Sequence, residues 1–362
     1  MAAMTNVTSL TNTIKTYYDR VLLEALDPQL KYYQFGIKKP LPKGEGTSVI
    51  WNLPRRLSIG VTLTEGTPVT LTNGWALSTT KVSAIIDQYG GWTDISDLVS
   101  MTSITDVMKM AVERLGAQAG ETLERVITNK FISHISILGH SSHHMYKTSG
   151  AIYDYWGSVS GVSVCSDGTV PGGPLAGGTY ANVISVSDVR KAIYTLKRLN
   201  AEPYDGGDYV AIINTETAED LVGDSTWINF HQYTDKGVGN LYNGEIGKIY
   251  GCRFVETTQG PAVRGVGDSL STVSAVLYGT AIFGKGFFGV TELDGGIKTY
   301  LSEGASKADA LNQTTVYGWK ANFATSYLQC SAGLVFWAGS GDTTIVGDES
   351  ATGSVLRYKA PA

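Results

Sequence analysis

The sequence predicts an α+β fold, because helix-like and strand-like segments are mixed along the chain without regular alternation. One segment, residues 103–131, has apolar side chains at the 3.6-residue spacing of a long helix. Many shorter apolar segments are bounded by glycine or proline, as strands are. Glycine supplies 43 of the 362 residues and charged residues only 17 %. This composition excludes a coiled coil and charge-driven disorder.

The surface is expected to be polar but poorly charged, which is unusual for a free monomer and predicts a subunit that lies against neighbours. The net charge is −5, opposite in sign to a protein with a basic nucleic-acid-binding face, so only weak, non-specific contact with DNA is expected. Three widely spaced cysteines do not suggest a disulfide framework and fit a reducing compartment. We expect neither a signal peptide nor a membrane-spanning segment.

Residues 1–45 are interpreted as an N-terminal arm. A short helix with apolar residues every three or four positions ends at Asp27-Pro28, because the residue before proline avoids the helical region. The following segment, Phe35-Gly-Ile-Lys-Lys-Pro-Leu-Pro-Lys-Gly, cannot pack as a helix and is predicted to be extended. Lys38 and Lys39 are too few for a nucleic-acid site and are candidates for contact with carboxylates of neighbouring subunits.

Residues 46–92 are predicted to form a long β-hairpin with limbs at 47–53 and 78–89. The connection between the limbs has few large apolar residues, and so long an excursion is typical of a functional or partner-binding loop. A disordered loop is the alternative. The candidate contact residues in this segment are Arg55, Arg56, Glu65 and Trp75.

Residues 93–133 are predicted to contain one long helix, capped by Ser103 with Asp106 three positions later. Its apolar face is formed by Ile104, Val107, Met108, Ala111, Val112, Leu115, Ala119, Leu123, Val126 and Ile127. Its polar face is formed by Lys109, Glu113, Gln118, Glu121, Glu124 and Arg125. Gly116 and Gly120 lower the helix propensity by about 1 kcal/mol each. Such glycines would be tolerated where another backbone packs closely.

The remaining chain is divided by composition. A Gly- and Ser-rich stretch with few charges is interpreted as an insertion of turns and short strands, not a domain with its own core. A helix capped by Ser187 and a buried strand from Tyr209 follow it. The predicted segments are an insertion at 134–182, a mixed region at 183–300, strands at 301–338 and a C-terminal tail at 339–362.

No motif predicts catalysis, a cofactor or a metal site. Gly284-Lys-Gly-Phe-Phe-Gly has the spacing of a dinucleotide-binding loop, but strand-like residues follow where a helix must begin. His140, His143 and His144 lack a nearby Cys, Asp or Glu as an additional ligand, which favours a polar loop over a zinc site. Asp205-Gly-Gly-Asp is better explained as a tight turn than as a cation site.

Several motifs in order along the chain resemble one family of tailed-phage major capsid proteins, named after the coat protein of phage N-four. They include Gln34-Phe-Gly-Ile-Lys-Lys, Leu63-Thr-Glu-Gly, Leu115-Gly-Ala-Gln-Ala-Gly, Asn243-Gly-Glu-Ile-Gly-Lys-Ile-Tyr-Gly and Leu311-Asn-Gln-Thr-Thr-Val-Tyr-Gly-Trp-Lys. The resemblance covers most of residues 14–330. It implies the Hong Kong 97 capsid fold, with an N-terminal arm, an extended loop, a long spine helix, a peripheral domain and an axial domain.

The same resemblance implies a non-enzymatic protein that forms hexamers and pentamers of an icosahedral shell around double-stranded DNA. Scaffolding, portal and decoration proteins would be its partners, and it would be made in the host cytoplasm and located in the virion. Two alternatives remain at this point. One is the shell protein of a bacterial nanocompartment, and the other is a cytosolic α+β enzyme or glycan-binding protein.

Overall fold

The structure is a computed structural model that describes residues 7–40, 46–55, 57, 59–60, 62, 76–136, 143–148, 151–156, 183–204, 206–232, 245–264, 276–292, 297–302 and 313–338. Its helices are α1 (Val7–Leu26), α2 (Asp97–Thr102), α3 (Val107–Ser136), α4 (Val186–Arg198), α5 (Thr215–Val222) and α6 (Ser225–Gln232). Its first strands are β1 (Ile37–Lys39), β2 (Ser48–Pro54), β3 (Thr79–Ile85), β4 (Asp87–Ser96), β5 (His143–Thr148), β6 (Ala151–Trp156), β7 (Tyr209–Asn214) and β8 (Glu245–Ile249). The others are β9 (Cys252–Thr257), β10 (Ala262–Arg264), β11 (Val276–Phe283), β12 (Phe288–Thr291), β13 (Ile297–Ser302), β14 (Thr314–Phe323), β15 (Thr325–Tyr327) and β16 (Gly333–Ala338).

Helix α3 confirms the long helix that the sequence predicts. It runs for 30 residues, which at 1.5 Å per residue is about 45 Å. Of the predicted apolar stripe, Val112, Leu115, Ala119, Leu123 and Ile127 are buried. The predicted start is wrong, because Asp106 caps the helix by accepting a hydrogen bond from the Lys109 backbone N–H at 3.0 Å. Ile104 therefore precedes the helix and is exposed, contrary to the prediction that it belongs to the buried face.

The largest sheet in the described part of the chain has the strand order β6-β5-β16-β11-β7-β9-β8, with β10 beside β11. Every residue of β7 is buried. Val210 and Ile212 pack into the core that contains α3, whereas Ala211 and Ile213 pack into a second core with α4 and α5. Side chains that alternate between two buried faces explain why this strand is a continuous apolar run.

A second sheet of antiparallel strands, β13-β14-β4, packs one face against α1 and α3. On this inner face the Trp319 indole N–H donates to Gln118 Oε1 at 3.4 Å. Thr299 and Tyr317 both donate hydroxyl hydrogen bonds to Asp19 of α1. The opposite face of the sheet is exposed to solvent.

The hairpin and the arm attach to the body through short strands. Strands β2 and β3 pair from Ser48–Ile85 to Pro54–Thr79. Strand β1 pairs parallel with β12, which also pairs with β15. The predicted second limb of the hairpin is too long, because the chain leaves it after Ile85 and β4 pairs with β14 instead. The ten-residue ladder with β14 outcompetes continued pairing with β2.

Two further predictions are tested in the remaining chain. The helix after residue 183 is capped by Ser185, not by Ser187, because Asp188 accepts a hydrogen bond from the Ser185 backbone N–H at 3.0 Å. Short strands occur within the predicted insertion, where β5 and β6 extend the large sheet from β16. The division of the chain into seven segments stays a prediction.

Candidate assembly surfaces

The N-terminal segment packs along one stripe of α3, formed by Gly116, Gly120 and Glu124 at intervals of four residues. A Cβ atom at Gly116 would lie 2.6 Å from the carbonyl oxygen of Leu22, and one at Gly120 would lie 2.9 Å from that of Leu26. The backbone of α1 therefore lies directly against α3. This contact is the kind of close backbone approach at which the sequence analysis expects the two glycines to be tolerated.

Glu124 completes this stripe as a buried carboxyl group, with 0 % of its surface exposed. Its Oε2 accepts a hydrogen bond from the Tyr32 backbone N–H at 2.9 Å, and its Oε1 accepts one from the Tyr33 N–H at 3.1 Å. Burial raises the pKa of Glu124 to about 8, although both amide hydrogen bonds and the Lys31 charge act to lower it. The sequence placed Glu124 on the polar face, and only its position four residues after Gly120 connects it with the packed stripe.

The two arm lysines have different environments. The Lys38 ammonium lies 4.6 Å from the centroid of the Tyr33 ring, a cation–π contact, and the side chain is exposed. Lys39 donates a hydrogen bond to the Ile50 carbonyl oxygen and so connects the arm with the hairpin. Lys38 is thus the more available of the two for another subunit. Contact of either lysine with a neighbour stays a prediction.

The base of the hairpin is anchored by Trp51, which is buried. A Cβ atom at Gly289 would lie 2.7 Å from the Trp51 ring, so β12 needs a glycine where the indole crosses it. Val49, Ala84, Ala324 and Leu328 complete this small apolar cluster. The hairpin base therefore belongs to the folded subunit.

Beyond Pro54 the hairpin leaves the core. Ile59 is 94 % exposed and Leu77 is 81 % exposed. Arg55 is exposed and donates a hydrogen bond from Nε to Thr80 Oγ1 at 2.8 Å. The other three candidates of this segment, Arg56, Glu65 and Trp75, lie outside the described residues, and their roles stay predictions.

Two surfaces that the sequence did not single out expose large apolar side chains. We define the α2 knob as Leu98, Val99, Met101 and Ile104, all exposed. We define the aromatic slot as Trp92, Tyr300 and Gly318, which lie in one row across the exposed face of the sheet β13-β14-β4. Strand alternation could have placed Trp92 on a face, but the pairing of three distant strands is not visible in the sequence.

The described residues provide little for chemistry. They contain no group of three or more His, Cys, Asp or Glu side chains placed to bind a metal ion. The Gly284–Gly289 segment leads from β11 into β12, which confirms that strand residues follow it and not the helix that a dinucleotide-binding loop needs. Gly206 and Gly207 have positive φ angles, which confirms the predicted turn. None of the described helices has the length and apolarity needed to cross a membrane.

No protein-family model and no curated protein matches the sequence. Solved structures do match the fold. The capsid of Ralstonia phage GP4 has a TM-score of 0.59 at 13 % identity, covering 87 % of this chain and 92 % of that chain. The capsid of cyanophage P-SCSP1u has a TM-score of 0.54 at 15 % identity, covering 84 % and 87 %. The capsid of cyanophage Pam1 has a TM-score of 0.52 at 16 % identity, covering 94 % and 95 %.

Each of these comparisons covers more than four fifths of both chains. The mixed helices and strands confirm the predicted α+β class. The chain has the Hong Kong 97-type fold of phage capsid proteins, as the sequence resemblance implied.

Proposed function

We propose that this chain is the major capsid protein of a tailed phage and self-assembles into an icosahedral shell around double-stranded DNA. The observation that carries the proposal is the fold similarity to the capsid of Ralstonia phage GP4 over 87 % of this chain and 92 % of that one. The match therefore extends over most of both chains. The role is structural and not enzymatic.

The surface of the subunit supports this proposal. Apolar side chains project from the hairpin and from α2, and soluble monomers rarely expose such groups together. In a shell, neighbouring copies would cover them. The low content of charged residues, 17 %, fits a subunit whose surface is largely in contact with other subunits.

In this proposal five of the seven predicted segments have a place in the shell. They are the N-terminal arm at 1–45, the extended loop at 46–92, the spine helix at 93–133, the axial domain at 183–300 and the peripheral strands at 301–338. Hexamers and pentamers of the chain form the lattice, with scaffolding, portal and decoration proteins as partners. Packaged DNA makes weak, non-specific contact with the acidic subunit. Assembly takes place in the host cytoplasm, and the product is the virion capsid.

The test is expression of the full chain, followed by sedimentation and electron microscopy. We expect closed icosahedral particles with no enclosed protein of a different sequence. A stable monomer that forms no larger assembly at any protein concentration would contradict the proposal. Particles that enclose one defined cargo protein would instead identify a nanocompartment shell.

A further inference from the structure

The α2 knob is an apolar projection without a partner in the described part of the subunit. Met101 is 83 % exposed, and Ile104 is fully exposed. The knob follows β4 directly, and Ser96 caps α2 by accepting a hydrogen bond from the Val99 N–H. The cap and the preceding strand fix the position of this six-residue helix and of the side chains that it carries. Their exposure therefore has no explanation within one copy.

The aromatic slot is a concave site on the same subunit. Tyr300 pairs with Gly318, and Gly318 pairs with Trp92, so two large rings flank a residue without a side chain. Trp92 is 70 % exposed and Tyr300 is 55 % exposed. The groove that they border has a volume of about 390 Å³. Gly318 itself is buried, so the two exposed rings and the groove beside them form the accessible part of the slot.

Two positive charges lie beside the slot. Lys298 and Lys320 lie directly opposite each other on β13 and β14, and both are exposed. Like charges at directly opposite positions destabilise a sheet. Within the described ranges no carboxylate lies within ion-pair distance of either lysine. Two carboxylates, Asp97 and Asp106, border the α2 knob and are likewise exposed.

We propose that the α2 knob of one copy inserts into the aromatic slot of a second copy, with Asp97 or Asp106 near Lys298 and Lys320. The occupant is a second copy because this one chain carries both an apolar projection and a groove, with opposite charges beside them. The inference rests on the proposed shell, in which each subunit is surrounded by other copies of the same chain. Such a contact between two different surfaces closes into rings when the rotation between copies allows it.

Disulfide trapping tests this contact in assembled particles. One chain carries Met101→Cys, a co-expressed chain with a different tag carries Tyr300→Cys, and particles are purified before oxidation. We expect a mixed dimer on non-reducing gels, because a disulfide requires Cα atoms within about 7 Å. A second pair, Ile104→Cys with Ser302→Cys, and a short bis-maleimide reagent allow for small offsets. The matched control is Tyr194→Cys with Tyr300→Cys, since Tyr194 is exposed on α4, a helix that packs into the second core.

The alternatives have distinct outcomes. If particles form and only Ile59→Cys of the hairpin is trapped with Tyr300→Cys, the hairpin occupies the slot and the inference is overturned. Particles in which no pair is trapped also overturn the inference. The slot would then be a site for a different protein. If the unaltered chain forms no particles, the proposed function fails, and this inference fails with it.

A solution measurement provides a second readout. Met101→Asp should raise the protein concentration needed for assembly about tenfold, equivalent to about 1.4 kcal/mol, without changing the thermal unfolding of dissociated subunits. The control Tyr194→Asp should leave that concentration unchanged. Equal assembly by both variants would overturn the inference.

Discussion

The centre of the subunit and its projecting hairpin use the same kinds of apolar side chain in opposite environments. In the centre, Phe131, Phe283, Phe287 and Phe288 are at most 2 % exposed. Their ring centroids are 5.5 to 6.0 Å apart, the spacing of favourable aromatic pairs. At the hairpin, Ile59 is almost entirely in water. The apolar side chains of the centre are buried within a single chain, whereas Ile59 of the hairpin is not.

The difference separates folding from assembly. Burial of apolar surface contributes about 25 cal/mol per Å². For the central phenylalanines this contribution is made when the subunit folds. For the hairpin and the α2 knob it becomes available only when another surface covers them. Changes in the centre should therefore alter subunit stability, whereas changes in the projections should alter only the shell.

The largest effect should come from shortening the hairpin. Replacing residues 56–77 with Asn-Gly keeps the Arg55 N–H to Ser78 carbonyl hydrogen bond and closes the strands with a favoured turn. We expect loss of closed particles, seen by electron microscopy, while the free energy of unfolding of the subunit changes by less than about 1 kcal/mol. A normal particle yield would show that the hairpin is not needed for assembly and would contradict the comparison.

A cavity in the centre should have the converse effect. Phe131→Ala removes a ring that contacts Phe287 and Phe288 and should lower the free energy of unfolding by about 3–5 kcal/mol. Ile59→Ala, the matched control, should change it by less than about 0.5 kcal/mol. Urea denaturation of dissociated subunits measures both. Similar losses for the two variants would contradict the comparison.

A smaller loss is expected where α1 packs on α3. Gly116→Leu forces a side chain against the Leu22 carbonyl oxygen and should lower the free energy of unfolding by about 1–3 kcal/mol. Gly60→Leu is the control, because no atom lies within 4 Å of a Cβ at Gly60. Thermal unfolding of both variants measures the difference. An unchanged melting temperature for Gly116→Leu would mean that α1 does not pack on this stripe in solution.

The smallest effect should depend on pH. Because burial raises the pKa of Glu124 from its ordinary 4.5 to about 8, the folded subunit retains a proton that the unfolded chain releases. Stability from this group is greatest below pH 4.5 and is lost as the pH rises to about 8. Glu124→Gln should reduce that slope in urea denaturation across the interval. Glu113→Gln, on the exposed side of α3, should retain the slope, and identical slopes for both variants would contradict the assignment.

Much of the architecture could be predicted from periodicity, but Glu124 and Ile104 could not. The buried stripe from Val112 to Ile127 follows the helical period, and that period is visible in the sequence. Ile104 fits the same period, yet the chain turns before Asp106 and leaves it in water. Glu124 resembles a solvent-facing residue until Tyr32 and Tyr33, some 90 positions earlier, cover it. Local pattern does not contain such distant contacts.

The candidate contact residues divide in the same way. The sequence predicts a long extended segment at 46–92 as a partner-binding loop. Arg55 lies in this segment and is exposed. The sequence did not indicate that Lys39 connects the arm with Ile50 inside one chain. It also did not indicate the aromatic slot, because Trp92 and Tyr300 are more than 200 positions apart.

By itself, the sequence determined the α+β class, the long helix and the pairing of the two hairpin limbs. These features follow from residue type and local spacing, which restrict the backbone before any distant contact forms. Only the tertiary structure decided which carboxylate is buried, which lysines face each other and which side chains remain in water. Those outcomes depend on strand register and helix docking between distant segments, and a shift of one residue would place every side chain of a strand on the other face.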